Sequence, residues 1–186
     1  QIMMRRIRAF WELIKFEHER CQLKRSDPKY LPWGMSQANV LFLKRLDKQA
    51  RGVKDRMALA YKRMDPGCEW YEAKGRFEFS SGLKLYVGHC KDRGDWQLYQ
   101  GEQYVQILYD ELNQFLETQW EWINTRLRVY DDLHAPFLKI RGMSNPTIDI
   151  DSSEDVIIDD PYWVRRVFVD PAPEGRVRMT KTVELR

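Results

Sequence analysis

Residues 105–115 read Val-Gln-Ile-Leu-Tyr-Asp-Glu-Leu-Asn-Gln-Phe, and this stretch decides both the fold class and the expected site. Its first five residues are mostly apolar and favour extended structure, which predicts a buried strand. Two adjacent carboxylates, Asp110 and Glu111, follow directly. Because open α/β sheets bind ligands at the carboxyl ends of their strands, these acids stand where such a sheet would build a site.

The acidic pair supports two interpretations. In a nucleotide hydrolase the first acid of such a pair helps to hold Mg²⁺, and the second polarises the attacking water. In the alternative, the strand ends in a solvated acidic turn, because short motifs of this kind also arise without a function. The rest of the sequence has to decide between them.

The composition is typical of a packed chain without a membrane segment. Of the 186 residues 43% are hydrophobic and 13% are aromatic, which excludes a disordered chain. No apolar run approaches the ~18 residues of a membrane span, and nothing at the start resembles a signal peptide. We therefore expect an intracellular protein.

The cysteines and histidines carry no recognisable chemistry. Cys21, Cys68 and Cys90 lack C-x-x-C spacing, so neither a disulfide framework nor a zinc site is indicated. We interpret them as reduced, inert packing residues. The three histidines are far apart and have no partner at ligand spacing, which indicates structural or surface roles.

The charge is distributed unevenly along the chain. Residues 1–64 carry a net charge of +10 and residues 65–186 a net charge of −7, within a total of +3. This asymmetry fits a phosphate-rich partner for the first third of the chain. A solvated basic helix face explains it equally well.

The order of predicted elements indicates an α/β protein. The hydrophobic periods predict, in turn, a helix over residues 2–20, a strand over 39–44, a helix over 53–64, a β-hairpin within 68–89, a helical turn at 96–99, a strand at 105–109, a helix over 118–129, an apolar segment at 136–143, a short helix at 161–169 and an edge strand at 176–185. This order predicts a mainly parallel sheet with helices on its faces.

Six stretches of the sequence occur in the order found in one family. They are Asn-Val-Leu-Phe-Leu-Lys-Arg at 39–45, Phe-Glu-Phe-Ser-Ser-Gly-Leu-Lys-Leu-Tyr-Val-Gly-His at 77–89, Tyr-Gln-Gly-Glu-Gln-Tyr at 99–104, Val-Gln-Ile-Leu-Tyr-Asp-Glu-Leu at 105–112, Thr-Arg-Leu-Arg at 125–128 and Ser-Asn-Pro at 144–146. Over roughly residues 38–170 the chain thereby resembles the ATPase domain of the tailed-phage terminase large subunit.

The resemblance implies a P-loop NTPase fold and a motor that uses ATP and Mg²⁺ to move double-stranded DNA into a procapsid. Asp110 would match the Mg²⁺-associated Walker B aspartate, and Glu111 the catalytic glutamate that orients or deprotonates water. Ser144 and Asn145 would match the motif that senses the γ-phosphate and couples hydrolysis to movement. A hydroxyl and an amide at a strand end can hydrogen-bond both phosphate and water.

One departure from the family concerns the phosphate loop. No G-x-x-x-x-G-K-[ST] occurs in the chain, whereas the family carries this loop directly before the helix that begins here at Gln1 without a cap or an initiator Met. The resemblance therefore implies that residues 1–186 are a single, N-terminally truncated ATPase domain, with Walker A upstream and a nuclease domain after residue 186. We expect no ATP binding or hydrolysis by these residues alone.

A second departure is Gln100, because many relatives have an arginine there that completes the site of a neighbouring subunit. Arg126 and Arg128 are alternative candidates for this arginine finger. A structural role at a helix end, where cations suit the macrodipole, is the other interpretation of both. The acidic residues between 149 and 160 are expected in a solvated loop and are not a nuclease metal cluster.

The resemblance also implies partners and a location. The partners would be double-stranded DNA, a portal protein, the terminase small subunit and further copies of the chain in a ring, in the host cytoplasm at the procapsid portal and without membrane contact. Two other functions stay open. One is a helicase of the same superfamily, and the other is a non-catalytic module whose basic first third binds DNA phosphates.

Overall fold

The computed structural model describes residues 14, 15, 19, 39–128, 138–143 and 162–169. Residues 14, 15 and 19 are helical, in agreement with the predicted first helix. The remainder of that helix, the acidic run at 149–160 and the predicted edge strand at 176–185 lie outside the described residues.

In the described part of the chain, a six-stranded mixed sheet forms the centre of the fold. Its strands are β1 (Asn39–Lys44), β2 (Glu69–Tyr71), β3 (Arg76–Glu78), β4 (Lys84–His89), β5 (Gln106–Asp110) and β6 (Lys139–Met143), in the order β2-β3-β4-β1-β5-β6. β1 pairs in parallel with β4 and β5, and β5 pairs in parallel with β6. The pairs β2–β3 and β3–β4 are antiparallel. The predicted architecture, a mainly parallel sheet flanked by helices and carrying a β-hairpin, is confirmed.

The two central strands, β1 and β5, are covered on both faces. Val40, Leu41, Phe42 and Leu43 of β1 are each at most 1% exposed, and all five residues of β5 are buried. A continuous apolar run without alternation is the sequence pattern of such strands. The predictions at 39–44 and 105–109 are confirmed, with β5 including Asp110.

The α-helices whose bounds lie within the described residues are α1 (Asp47–Met64) and α2 (Glu117–Asn124). α1 begins six residues before the predicted start at residue 53, because Asp47 accepts hydrogen bonds from Arg51 across its first turn. The predicted extension of α2 to residue 129 is wrong. Leu127 instead forms a parallel bridge with Tyr104, so the chain leaves the helix to pair with the segment before β5.

Short helical turns connect these elements. They lie at Glu72–Lys74, Asp95–Tyr99 and Leu112–Gln114, and a π-helical turn lies at Arg165–Val169. The turn at Asp95–Tyr99 confirms the prediction for residues 96–99. Within the described ranges, no helix combines the length and the apolar character needed to cross a bilayer.

Each face of the sheet carries its own hydrophobic core. On one face Met57 and Tyr61 of α1 pack with Phe42, Phe77 and Leu108. On the other face the buried residues include Leu41, Tyr109, Phe115, Ile123 and Trp163. Alternate residues of β1 and β5 point into opposite cores, as the period of two requires. Among the described residues, the central strands of the sheet are therefore held between two layers, and their ends are left to meet a ligand.

Candidate functional site

The carboxyl ends of the four mutually parallel strands lie at one edge of the sheet. β1, β4, β5 and β6 end there at Lys44, His89, Asp110 and Met143. The register pairs Lys44 with His89 and Asp110 with Met143. This edge therefore gathers an ammonium group, an imidazole and a carboxylate on neighbouring strands.

Asp110 is the last residue of β5 and forms a buried ion pair. Its Oδ2 atom lies 2.5 Å from Nζ of Lys44, and the two side chains are 12% and 14% exposed, respectively. Phe42 and Leu108, each two residues earlier on its strand, lie in one hydrophobic core, so Lys44 and Asp110 are on the same face of the sheet. Solvent screens this pair only weakly because both groups are largely withdrawn from water.

Glu111 directly follows β5 and has an unusual backbone. Its φ of 58° and ψ of 58° are left-handed, and among the described residues it is the only non-glycine residue with a positive φ. Its carbonyl oxygen accepts a hydrogen bond from the amide of Gln114, 2.9 Å away, which closes the turn at Leu112–Gln114. The chain thus turns sharply at the second acid, whose side chain is partly exposed beside the buried Asp110.

The oxygen chemistry of this edge fits one mode of magnesium binding. Among the described residues, no group of three or more His, Cys, Asp or Glu side chains is arranged to hold a metal ion. These residues therefore do not build a cage made of protein ligands alone. Mg²⁺ is commonly held by one or two carboxylates together with water and substrate phosphates, and Asp110 can supply such a carboxylate.

The predicted phosphate-sensing residues follow the neighbouring strand. Ser144 and Asn145 lie outside the described residues. Met143, which precedes them, is the last residue of β6 and pairs with Asp110. The strand end that carries Asp110 and the strand end that precedes Ser144 are therefore adjacent, and the roles of Ser144 and Asn145 stay predictions.

Arg126 and Arg128 lie at the opposite end of β5. The amide of Tyr104 donates to the carbonyl of Arg126 over 2.9 Å, and the amide of Arg128 donates to the carbonyl of Tyr104 over 3.2 Å. Tyr104 precedes the first residue of β5, so roughly 20 Å of extended chain separates it from Asp110. The structure does not bring these arginines to the acids of the same chain, and their proposed role toward a neighbouring subunit stays a prediction.

Sequence reasoning missed the partner of Asp110. Lys44 falls within the predicted strand at 39–44, and a charged residue at the carboxyl end of a central strand is itself a signal. The missing information was the register of β1 against β5, since Leu43 pairs with Tyr109 and the next residues are Lys44 and Asp110.

Sequence reasoning also missed Arg45. This residue directly follows β1 and stabilises the same strand ends from the other face of the sheet. It is 2% exposed, and its Nη1 atom donates to the Cys90 carbonyl over 2.6 Å and to Oε1 of Gln119 over 2.8 Å. Burial lowers the pKa of its guanidinium group. Gln119 in turn donates to the carbonyl of Asp92 over 2.7 Å, so α2 and the loop after β4 are fixed to the end of β1.

No family model matches this chain, and no curated protein matches it. Among solved structures it is similar to the large terminase of a thermophilic bacteriophage, at 19% sequence identity and a TM-score of 0.43. The match covers 63% of this chain and 29% of that chain, so the chain spans less than a third of that protein's length.

Proposed function

We propose that this chain is the ATPase-domain segment of a viral DNA-packaging motor, which couples ATP hydrolysis to translocation of double-stranded DNA into a procapsid. The observation that carries the proposal is the position of Asp110 and Glu111. They leave the carboxyl end of a buried parallel strand whose neighbour, β6, ends beside it. This is where open α/β sheets place ligands.

The motif stretches of the sequence support the same proposal. Residues 39–45 fall on β1 and the arginine after it, residues 77–89 span the antiparallel hairpin, and residues 105–112 contain β5 with its acids. Three of the stretches on which the resemblance rests therefore contain strands of the sheet.

In the proposed reaction, water attacks the γ-phosphorus of ATP in line with the bond to the β–γ bridging oxygen, which leaves with ADP. Glu111 orients this water and accepts its proton as the new P–O bond forms. Asp110 would hold Mg²⁺, which when bound offsets negative charge on the phosphate oxygens. Ser144 and Asn145 would hydrogen-bond the γ-phosphate from the end of β6.

The partners of the motor are part of the proposal. They are double-stranded DNA, a portal ring, a small DNA-recognition subunit and further copies of the same chain, in the host cytoplasm. Arg126 or Arg128 would act on the nucleotide of a neighbouring copy. The amino end of β5, where both lie, is remote from the acids of their own chain.

The test is Glu111→Gln in the full-length protein that contains this chain. Glutamine keeps the size of the side chain but cannot accept the proton, so we expect hydrolysis to fall by about 10²–10⁴-fold. ATP binding, measured by titration calorimetry or with a fluorescent nucleotide, is expected to stay within about threefold of the wild-type value.

The control is Glu121→Gln, since Glu121 is an exposed acid on α2. It removes the same charge without touching the strand end and is expected to leave turnover unchanged. Normal hydrolysis by the Glu111 variant would remove this residue from the proposed mechanism. DNA-stimulated hydrolysis accompanied by strand separation would replace packaging by unwinding.

A further inference from the structure

The ion pair between Lys44 and Asp110 does not need to hold the sheet together. β1 and β5 are already joined by parallel backbone pairing from Val40 to Leu43. Withdrawing two charges from water costs free energy that offsets much of their attraction, so a buried pair adds little net stability. The pair also occupies the carboxylate that the proposed function assigns to a cation.

We propose that Lys44 is the internal counter-ion of Asp110, and that it must leave the carboxylate before Asp110 can take a divalent cation. The inference rests on the proposed nucleotide site for the identity of the cation, and on the 2.5 Å contact for the exchange. A divalent cation bonded to Oδ2 would lie within a few ångströms of this ammonium group, and two like charges at that separation repel, so the two cations compete for the carboxylate.

The position of Lys44 at the end of β1 allows its side chain to rotate away from Asp110. Lys44 is the last residue of β1, at the strand end where the backbone leaves the sheet, and 14% of its side chain is exposed. A four-carbon stem with free rotation allows the ammonium to move several ångströms while the backbone stays paired. The exchange therefore requires a side-chain rotation and leaves the sheet intact.

The first experiment measures the reactivity of the Lys44 amine by brief acetylation with acetic anhydride, read by mass spectrometry of the whole chain after digestion. In the wild-type chain we expect slow labelling that rises about threefold or more when Mn²⁺ or Mg²⁺ is added, because the released amine is no longer held in the pair. In Asp110→Asn, labelling of Lys44 should be fast with or without the metal. Lys48, an exposed lysine of α1, is the internal reference.

The second experiment measures Mn²⁺ binding by electron paramagnetic resonance of the free ion. Lys44→Met keeps most of the side-chain stem and removes the competing charge, so affinity should rise about tenfold or more over the wild type. Lys44→Arg should bind as weakly as the wild type. Lys48→Met removes the same charge from an exposed position and should leave the affinity unchanged.

The outcomes separate this inference from the proposed function. Binding that depends on Asp110 but is equal in the wild type and Lys44→Met overturns the counter-ion role and leaves the ATPase proposal standing. If neither the wild type nor Lys44→Met binds Mn²⁺ through Asp110, both the counter-ion role of Lys44 and the assignment of Asp110 to the cation are overturned. Should Lys44→Met fail to fold, metal-insensitive labelling of Lys44 in the wild-type chain overturns the inference by itself.

Discussion

Glu111 combines a backbone conformation that glycine prefers with a side chain that the proposed reaction needs. Its φ of 58° brings Cβ close to its own carbonyl oxygen, a contact that glycine avoids. Strain of about 1 kcal/mol or more is therefore held at the end of β5. Residues under such strain cluster at functional sites, which is consistent with a role for this carboxylate.

The strain predicts a gain of stability when Glu111 is replaced by glycine. We expect Glu111→Gly to raise the free energy of unfolding by about 1 kcal/mol, because the positive φ becomes unstrained. Glu111→Ala is the matched variant, since it also removes the carboxylate but keeps Cβ. Urea denaturation of the three proteins gives the backbone contribution as the difference between the two variants. An alanine variant as stable as the glycine variant would show that the left-handed backbone is unstrained.

The position of Asp110 and Glu111 at the end of a strand could be predicted from the local sequence. The partner of Asp110 could not. An apolar run followed by two acids fixes where a strand ends, because both signals are local. The Lys44–Asp110 contact joins residues 66 positions apart, and it depends on a register that no local pattern encodes. The buried Arg45 was missed for the same reason, since its acceptors lie on Cys90 and Gln119.

At the scale of elements, Asp65 connects the end of α1 to the hairpin. Its carboxylate accepts hydrogen bonds from the amide of Gly67 over 2.9 Å, the amide of Ser80 over 2.7 Å and the hydroxyl of Ser80 over 3.0 Å. Asp65 is 5% exposed, so these donors are satisfied away from bulk water. One side chain thus holds a helix end and a β-turn in a fixed relation.

Removing this connection is predicted to destabilise the whole fold. Asp65→Ala leaves two backbone amides and a hydroxyl without their acceptor, at a cost of about 2–4 kcal/mol in the free energy of unfolding. Ser80→Ala removes only the hydroxyl and should cost about 1 kcal/mol. Asp55→Ala, at an exposed acid of α1, should change stability by less than about 0.5 kcal/mol. Equal urea midpoints for the Asp65 and Asp55 variants would contradict the connecting role.

Element types followed from periodicity more reliably than element ends did. β1, β5 and the hairpin were predicted correctly because apolar runs and alternation are strong local signals. The end of α2 was predicted five residues too late, since Leu127 continues the helical spacing of apolar residues. Its bridge to Tyr104 is a tertiary contact, and such contacts override a local helical pattern.

At the scale of the whole molecule, both cores contain a buried, free thiol. Cys68 lies in the core on the α1 face and Cys90 in the core on the α2 face. Burial raises the pKa of each thiol from 9.0 to about 12. Both are therefore protonated at neutral pH, in agreement with their predicted role as packing residues. Cys21 lies outside the described residues.

The raised pKa values of these thiols predict that the folded state loses stability at alkaline pH. Between pH 9 and about 12 the unfolded chain releases the thiol protons and the folded chain keeps them, so the free energy of unfolding falls as pH rises. Each thiol contributes at most about 1.4 kcal/mol per pH unit in this window. Below pH 9 neither state releases these protons, and the contribution is constant.

The measurement is urea denaturation of the wild type and Cys90→Ala at pH 8 and pH 10.5. Cys90→Ala lacks one of the two buried thiols, so its free energy of unfolding should fall less steeply with pH across this range. The cavity left by the missing sulfur lowers the stability of the variant already at pH 8. Between pH 6 and pH 8 the two proteins should show the same slope. Parallel curves up to pH 10.5 would mean that the Cys90 thiol is not shielded from water in the folded state.

The order of the strands has a consequence for how the chain folds during its synthesis. β1 pairs with residues 84–89 of β4 and with residues 106–109 of β5, so its two neighbours are translated long after it. Until they leave the ribosome, the apolar run from Val40 to Leu43 has no strand to pair with and is open to aggregation or to a chaperone. The speed of translation between β1 and β5 therefore sets how long the most hydrophobic strand of the sheet stays unpaired.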